Sequence, residues 1–496
     1  MSTRTGSEKL TRRNVLLGTA AVLVPLASGM TALQFSAAQA QSATSHRLVV
    51  DEVDGRQSYN GKSLGPTIRA LPGETIDVEL VNNLPPLHDD CTANPNQPHG
   101  LNTTNLHTHG LHVSPTTDSS GEFDADNVFV SVVPEGQIVA CEEVCGVEVK
   151  TSFRYGKNTF RFELPDNHAS GTFWYHAHKH GSTGTQVSDG LAGPLIIDDL
   201  PGTMPAYIEE AVEKILFITN QGVLVTDPDG GGELDPTIQM RPGEVQRWRV
   251  INGTGRGTDF AFLRPNLENL EMHLIAFDGL TLERRYPVDL ENLDEPWLNP
   301  AALASGNRMD VIVRAPAEPQ EASEGLFASL TGMFQNNDIA RLIDINVEVA
   351  GEPLISTWSD DPTLPGSGLV PFDDTPLSPR EIAFTRQQTI DLEAFNGELK
   401  QTMQLGTAEQ WTVSNRTQVL HVYHIHVNPF LITHINGDEL PADSPLRRWQ
   451  DTIGVPLGGS VGFKTRFETF TGKFVIHCHV LPHEDNGMMQ IVEVVA

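Results

Sequence analysis

The segment PTIRALPGETIDVELVNN, residues 66–83, reads as a glycine turn feeding a strand, and the chain carries it three times. PTIQMRPGEVQRWRVINGT begins at Pro236 and MQLGTAEQWTVSNRT at Met403. In each copy a glycine stands nine positions before an asparagine: Gly73 and Asn82, Gly243 and Asn252, Gly406 and Asn415. Between them the residues alternate as in a two-faced strand: Ile76, Val78, Leu80; Val245, Arg247, Arg249; Gln410, Thr412, Ser414, with Trp248 and Trp411 at equal offsets. Self-similarity of this kind sets the number of structural units. The chain has 496 residues, with 43 glycines and 33 prolines punctuating short Val/Ile/Thr/Phe runs. Together these features predict an all-β protein of three consecutive Greek-key sandwiches. The units are expected over residues 45–200, 201–350 and 381–496, with a Pro/Asp-rich linker at 351–380. Short helical turns are expected at Tyr207–Glu213 and Pro300–Ser305, and a glycine-rich turn at residues 229–232.

A second repeat joins only the first and third units. GTFWYHAH starts at Gly171 and GKFVIHCH at Gly472, and His107-Thr108-His109 matches His424-Ile425-His426. Residues 201–420 contain only His273, so the middle unit is expected to be a structural spacer. The result is four His-x-His pairs: His107/His109, His176/His178, His424/His426 and His477/His479. On a strand each pair turns two imidazoles to one face. Eight convergent imidazoles suit a cluster of about three copper ions with positions left open for dioxygen.

The stretch HCHVLPHEDNGMM, residues 477–489, carries ligand types on both faces. His477 and His479 point one way and Cys478 the other. His421 lies three positions before His424, so in an extended segment it turns away from that histidine and toward the Cys478 side. A thiolate, two imidazoles and a weak thioether, here Cys478, His421, His483 and Met488, suit a blue-copper electron-transfer site.

The net charge of −31 argues against nucleic acid or an anionic membrane as a partner. Near the N-terminus, Arg12-Arg13 precedes an apolar run to about Met30, followed by Ala38-Gln39-Ala40. Residues 1–40 therefore read as a twin-arginine-type signal peptide for the machinery that exports folded proteins. A periplasmic or secreted bacterial protein without a permanent membrane anchor is expected. Beyond Cys478, the cysteines Cys91, Cys141 and Cys145 leave room for one disulfide, Cys91 with either of the others. Cys141 and Cys145 alternatively form a second metal site.

The blocks HTHG (107–110), WYHAHKHG (174–181), HVYHIH (421–426) and HCHVLPHEDNGMM (477–489) resemble those of the multicopper oxidases, of the laccase-like bacterial kind with three cupredoxin domains. The resemblance spans nearly all of the chain after residue 40. It implies four copper ions. His421, Cys478, His483 and Met488 would hold the type 1 copper, and His107 and His424 the type 2. His109, His176, His178, His426, His477 and His479 would hold the type 3 pair. Cys478 and its neighbours His477 and His479 would carry electrons between the two sites. The implied activity couples four one-electron oxidations of a phenol or aromatic amine to reduction of dioxygen to water, in a monomer. The alternatives are a metallo-oxidase of cuprous, ferrous or manganous ions, a copper nitrite reductase, and a copper-free exported scaffold. Three departures stand out. Val422 and Val427 occupy positions where the family usually has proline and often glycine. Pro482 stands where a proton-relaying glutamate is expected, which makes Asp126, and after it Asp189, the candidates for that role. No methionine-rich insert is present, which counts against a cuprous oxidase. Glu484 and Asp485 are read as loop hydrogen-bonders or as charges that steer a cationic substrate, and His112 and His180 as packing residues.

Overall fold

The three repeated glycines all take the left-handed backbone conformation, with φ of +82°, +76° and +79° at Gly73, Gly243 and Gly406. The turn requires that conformation, and glycine adopts it without steric cost. The three asparagines share a second device. Asn82, Asn252 and Asn415 each accept the amide of the residue two positions on, at 3.1, 3.2 and 3.0 Å. Each also donates from Nδ2 to a distant carbonyl: Val132 at 2.8 Å, Leu303 at 3.0 Å and Val455 at 3.3 Å. The asparagine thus ends the strand and ties it to a distant stretch of its own unit.

The computed structural model describes residues 42–87, 94–138, 152–319 and 340–496, apart from residues 256, 258, 268, 291, 292, 374 and 387. The expected signal segment and Cys91, Cys141 and Cys145 lie outside these residues.

Six sheets form three cupredoxin-like sandwiches in succession. The first pairs a sheet of Ala43–Val53, Arg56–Tyr59, Thr75–Asn82 and Lys157–Glu163 with one of Ile68–Ala70, His107–His109, Gly171–His176 and Ala192–Ile197. In the second, seven strands between Val212 and Arg314 face three that include Ala340–Val349. The third contains Thr407–Asn415 in one sheet, and His421–Ile425, Gly472–Cys478 and Met489–Val495 in the other. Each repeated strand runs parallel to the strand that opens its unit.

The inward positions common to the three copies are the fifth and seventh after the glycine. Val78 and Leu80, Trp248 and Val250, and Trp411 and Val413 are all no more than 1% exposed. Gln410, Thr412 and Ser414 therefore lie on the outer, half-buried face. The tryptophan decides it, because the largest apolar side chain must go inward. Arg247 and Arg249 also face outward in their own sandwich, yet they are buried. Their guanidinium groups meet Asp310, and Arg249 Nη1 donates to Thr172 of the first sandwich at 3.1 Å.

A short helix, Ala206–Glu209, occupies part of the expected 207–213 turn, and strand begins again at Val212. Residues 300–305 are not helical. The side chain of Asn299 accepts the Ala301 amide at 2.9 Å and that of Asn307 accepts the Ala304 amide at 2.9 Å, so these donors are not free for a helix. A turn at residues 228–230 covers part of the expected 229–232, and strand begins at Gly232. A separate apolar cluster joins the parts of the chain: Trp174 and Ile196 from the first sandwich, Phe217 and Ile251 from the second, and Leu481 from near the C-terminus.

Candidate metal centres

The strand His107–His109 pairs with Gly171–His176 so that His107 lies opposite His176. In the third sandwich His424 lies opposite His477, and Tyr423 opposite Cys478. Alternation along these strands turns the histidines to one side, and the two sandwiches present their histidine faces to each other. His107 stacks on His426 with ring centroids 3.9 Å apart, and His109 stacks on His424 at 3.8 Å. All eight histidines of the four pairs are brought together and buried.

Their ring nitrogens sort into groups. His107, His109 and His424 converge, as do His109, His176 and His479, and His178, His426 and His477. In the last group Nε2 of His477 lies 3.2 Å from Nε2 of His178 and 3.3 Å from Nε2 of His426. Glu484 takes up the other side of two of these rings, with carboxylate oxygens 3.5 Å from Nδ1 of His178 and 3.3 Å from Nδ1 of His477. With Nδ1 as the donor, the Nε2 atoms turn lone pairs toward one another, which only a cation between them makes favourable. Two bonds of about 2.0 Å to one ion, the length typical of imidazole on a first-row metal, span such a separation at an angle of about 105–110°. Nε2 of His107, His176, His424 and His479 and Nδ1 of His109 are buried without a hydrogen-bond partner. The donor set fits a bound metal cluster.

Burial is the main cause that drives six of these imidazoles, those of His107, His109, His176, His426, His477 and His479, well below the usual histidine range. Neighbouring imidazoles add to the effect, and burial brings His178 to about 3. The rings stay neutral, as ligands must.

A second group lies on the opposite face of the strand Gly472–Cys478. Nδ1 of His421 and of His483 stand 3.6 and 3.7 Å from Sγ of Cys478. Bonds of about 2.0 Å from one ion to nitrogen and 2.3 Å to sulfur would span both separations. Burial pushes the Cys478 thiol up to about 12 and lowers His421 to about 3 and His483 to about 4. Met488 is fully buried in the same apolar cluster as Cys478, and its carbonyl accepts the Cys478 amide at 2.9 Å. Of His421, Cys478 and His483, only His483 is partly exposed.

Asp126 is buried against the larger group. Both its oxygens lie 3.0 Å from Nδ1 of His107, and it accepts the Thr108 amide at 2.8 Å. Burial raises its carboxyl to about 7. Asp189 is placed elsewhere: it ends the helix Thr183–Asp189, accepts the Gln57 amide at 3.3 Å, and lines a cavity of about 520 Å³ between the first two sandwiches. The carboxylate missing at Pro482 has a counterpart two residues on. Glu484 is 0% exposed, touches His178 and His477, and accepts a hydrogen bond from Thr183 Oγ1 at 3.2 Å. It therefore cannot steer a substrate from the surface, and sequence reasoning missed its place. One signal was available: in a short helix starting at Leu481, residues 483 and 484 point in different directions. Asp485 is a loop hydrogen-bonder, accepting the amides of Gly181, Thr183 and Gly184 at 2.8, 3.2 and 2.8 Å.

The family departures also have local consequences. Val422 offers its carbonyl to the His479 amide at 2.7 Å, an acceptor that proline would retain. Val427 sits at φ +70°, a conformation that a β-branched residue rarely adopts. It follows His426 of the larger group, and its carbonyl accepts from Nδ1 of His112 at 2.9 Å. His180 packs on Phe395 and hydrogen-bonds Asn96 at 3.0 Å.

Behind His109 and His424 lies a buried charge network. Asp451 receives both terminal nitrogens of Arg308, at 2.8 and 2.7 Å. Burial opposes the Asp451 charge, but the Arg308 guanidinium outweighs it and holds the carboxyl below its usual range. Asp278, also buried, accepts the backbone amides of Arg308, Asp451 and Thr452 at 2.9, 3.2 and 3.1 Å.

Family models described as multicopper oxidase match residues 373–496 and 146–202. A multicopper oxidase of Staphylococcus aureus is 25% identical over 88% of this chain and 83% of its own length. The laccase of Bacillus subtilis (strain 168) is 22% identical over 88% and 89%. Among solved structures, the Campylobacter jejuni multicopper oxidase described as a metallo-oxidase aligns over 91% of both chains with TM-score 0.61 and 19% identity. The multi-copper oxidase of Pseudomonas thermotolerans aligns over 92% of this chain and all of its own, with TM-score 0.59 and 18% identity. These likenesses extend across the three sandwiches that bring the histidine groups together, and with the two family matches they support a copper-dependent oxidase similar to the multicopper oxidases.

Proposed function

We propose that the protein is a laccase-like oxidase of phenols and aromatic amines, with the type 1, type 2 and type 3 ligands assigned as the sequence blocks imply. The observation that carries this reading is the placement of Cys478 between His477 and His479. One strand thereby joins two metal-binding groups through covalent bonds, and those two histidines belong to different groups of three. Bound copper would supply one-electron acceptance from the donor and reduction of dioxygen. The chain supplies the remainder. His483, partly exposed, offers a ring edge to the donor. The apolar residues around Cys478 exclude water from the sulfur. Asp126 and Glu484 are the buried carboxylates placed to hold protons beside Nδ1 of His107 and of His178 and His477. Pro482 is then no obstacle to proton delivery.

The seven methionines among the described residues are all buried, which leaves no exposed thioether on that surface to capture a cuprous ion. This favours an organic donor. The net charge of −31 supports a second reading, oxidation of ferrous or manganous ions drawn in by an acidic surface. As the proposed Tat-type leader implies, the enzyme would work outside the cytoplasm.

The test is oxygen uptake by the copper-loaded enzyme with a phenol, a bulky dye donor, and cuprous and ferrous ions in parallel. Faster turnover of the organic donors supports the laccase reading, and turnover of metal ions alone overturns it. Cys478→Ser is expected to lose the blue absorption at about 600 nm and turnover with every donor. Persistent oxygen uptake in that variant would contradict the ligand assignment.

A further inference from the structure

The middle sandwich contributes no histidine to either metal group, yet it reaches one of them. Arg308, at the start of the strand Arg308–Arg314, is 0% exposed and crosses to the third sandwich. Its Nη1 and Nη2 donate to Oδ1 and Oδ2 of Asp451 at 2.8 and 2.7 Å, a two-pronged pairing that fixes the plane of the carboxylate. Nε donates to Thr172 O of the first sandwich at 3.2 Å. From Asp451 the chain of contacts continues to the imidazoles. Thr452 Oγ1 donates to Asp451 Oδ1 at 2.7 Å and lies 3.1 Å from Nε2 of His109. Nδ1 of His424 lies 3.0 Å from the Asp451 carbonyl and 2.9 Å from Thr452 Oγ1. Each ring is therefore held by one nitrogen and keeps the other, Nδ1 of His109 and Nε2 of His424, without a protein partner. The glycine of the HTHG block shows how tightly the parts fit. A Cβ at Gly110 would stand 2.2 Å from Arg308 Nη2 and 2.6 Å from Asp451 Oδ2. Gly110 is glycine because the ion pair occupies that space.

We infer that Arg308 is a positioning residue for His424 and His109, acting through Asp451 and Thr452, so that the middle sandwich holds in register the place where the type 2 ligand His424 stacks on the type 3 ligand His109. The inference rests on the ligand assignment proposed above. A partner that orients a metal ligand through its distal nitrogen typically changes metal affinity by about 10- to 100-fold. Arg308→Lys keeps the charge and loses the fork. Thr452→Val keeps the shape and removes the hydroxyl between the two rings and Asp451.

Both variants and the parent are loaded with copper, dialysed against a graded series of chelator concentrations, and measured for copper per chain, blue absorption and electron paramagnetic resonance. The parent establishes the ligand assignment: failure to hold both a blue copper and a separate, non-blue type 2 signal sinks that assignment itself. Given a sound parent, the type 2 signal of each variant is expected to disappear at chelator levels about 10-fold or more below those that strip the parent, with the blue signal unchanged. Retention of the type 2 signal at parental chelator levels overturns the inference. So does parallel loss of blue and type 2 copper, which would mark a merely structural role. If Arg308→Lys does not fold, Thr452→Val decides the matter on the same readouts.

Discussion

At the scale of single residues, the chemistry depends on which side of a backbone each group occupies. The histidines and Cys478 were legible in the sequence because alternation in a strand is a rigid rule. Glu484 was not, because the residues after His479 leave the strand for a short helix and the rule stops applying. Its contacts with His178 and His477 yield a prediction. Glu484→Gln keeps the shape and removes the proton-holding group, and it is expected to lower kcat by about 10²-fold at unchanged copper content. Steady-state oxygen uptake beside metal analysis checks this, and an unchanged kcat would remove Glu484 from proton delivery. Val427 offers a stability test. Its carbonyl is held by His112, so His112→Ala leaves a buried acceptor without that donor and is expected to cost about 1–3 kcal/mol. Denaturant unfolding of the copper-free protein measures it.

At the scale of elements, the sequence showed where the repeated strands are but not which of their faces goes inward. Gln410, Thr412 and Ser414 looked as regular as Ile76, Val78 and Leu80, because period-two alternation does not say which set goes inward. The indole of Trp411 does. Burial of Arg247 and Arg249 was invisible for another reason. It depends on a neighbouring sandwich and on Asp310, more than sixty positions away in sequence. Burial opposes the Asp310 charge, and the two guanidinium groups outweigh it and hold its carboxyl below the usual range. A depressed folded-state value gives stability that is complete above the unfolded value, about 3.9, and is lost as pH falls through the folded one. Asp310→Asn is therefore expected to cost about 3–5 kcal/mol at pH 7, with the gap to the parent narrowing below about pH 4. Thermal unfolding across that range checks the sign, and a gap independent of pH would show that the Asp310 charge adds nothing.

At the scale of the molecule, the first and third sandwiches each hold half of the eight histidines, and neither half can close a three-copper cluster alone. On the ligand assignment proposed above, copper bound there would be shared between distant parts of the chain and act as a cross-link. Binding to the folded state alone stabilises by about 2.7 kcal/mol per site at a hundredfold excess over Kd. Removing copper with a chelator is expected to lower the thermal midpoint and to separate unfolding of the third sandwich from the rest. Calorimetry of the loaded and stripped protein shows whether one transition becomes two. The middle unit reads as a spacer in the sequence because it has no ligand histidine. Its Arg308 is one arginine among many until the fold sets it against Asp451. Long-range pairings of this kind leave no local pattern.

The position of Cys478, His483 and Met488 more than 370 residues after His107 has a consequence for synthesis. A ribosome must translate all of the first two sandwiches before any of the three exists. Chains that stall or are clipped short of His479 lack the thiolate site or part of the histidine cluster, whatever else they have folded. On the ligand assignment proposed above, the blue colour of a preparation therefore counts chains translated past Met488, and its ratio to total protein measures their share.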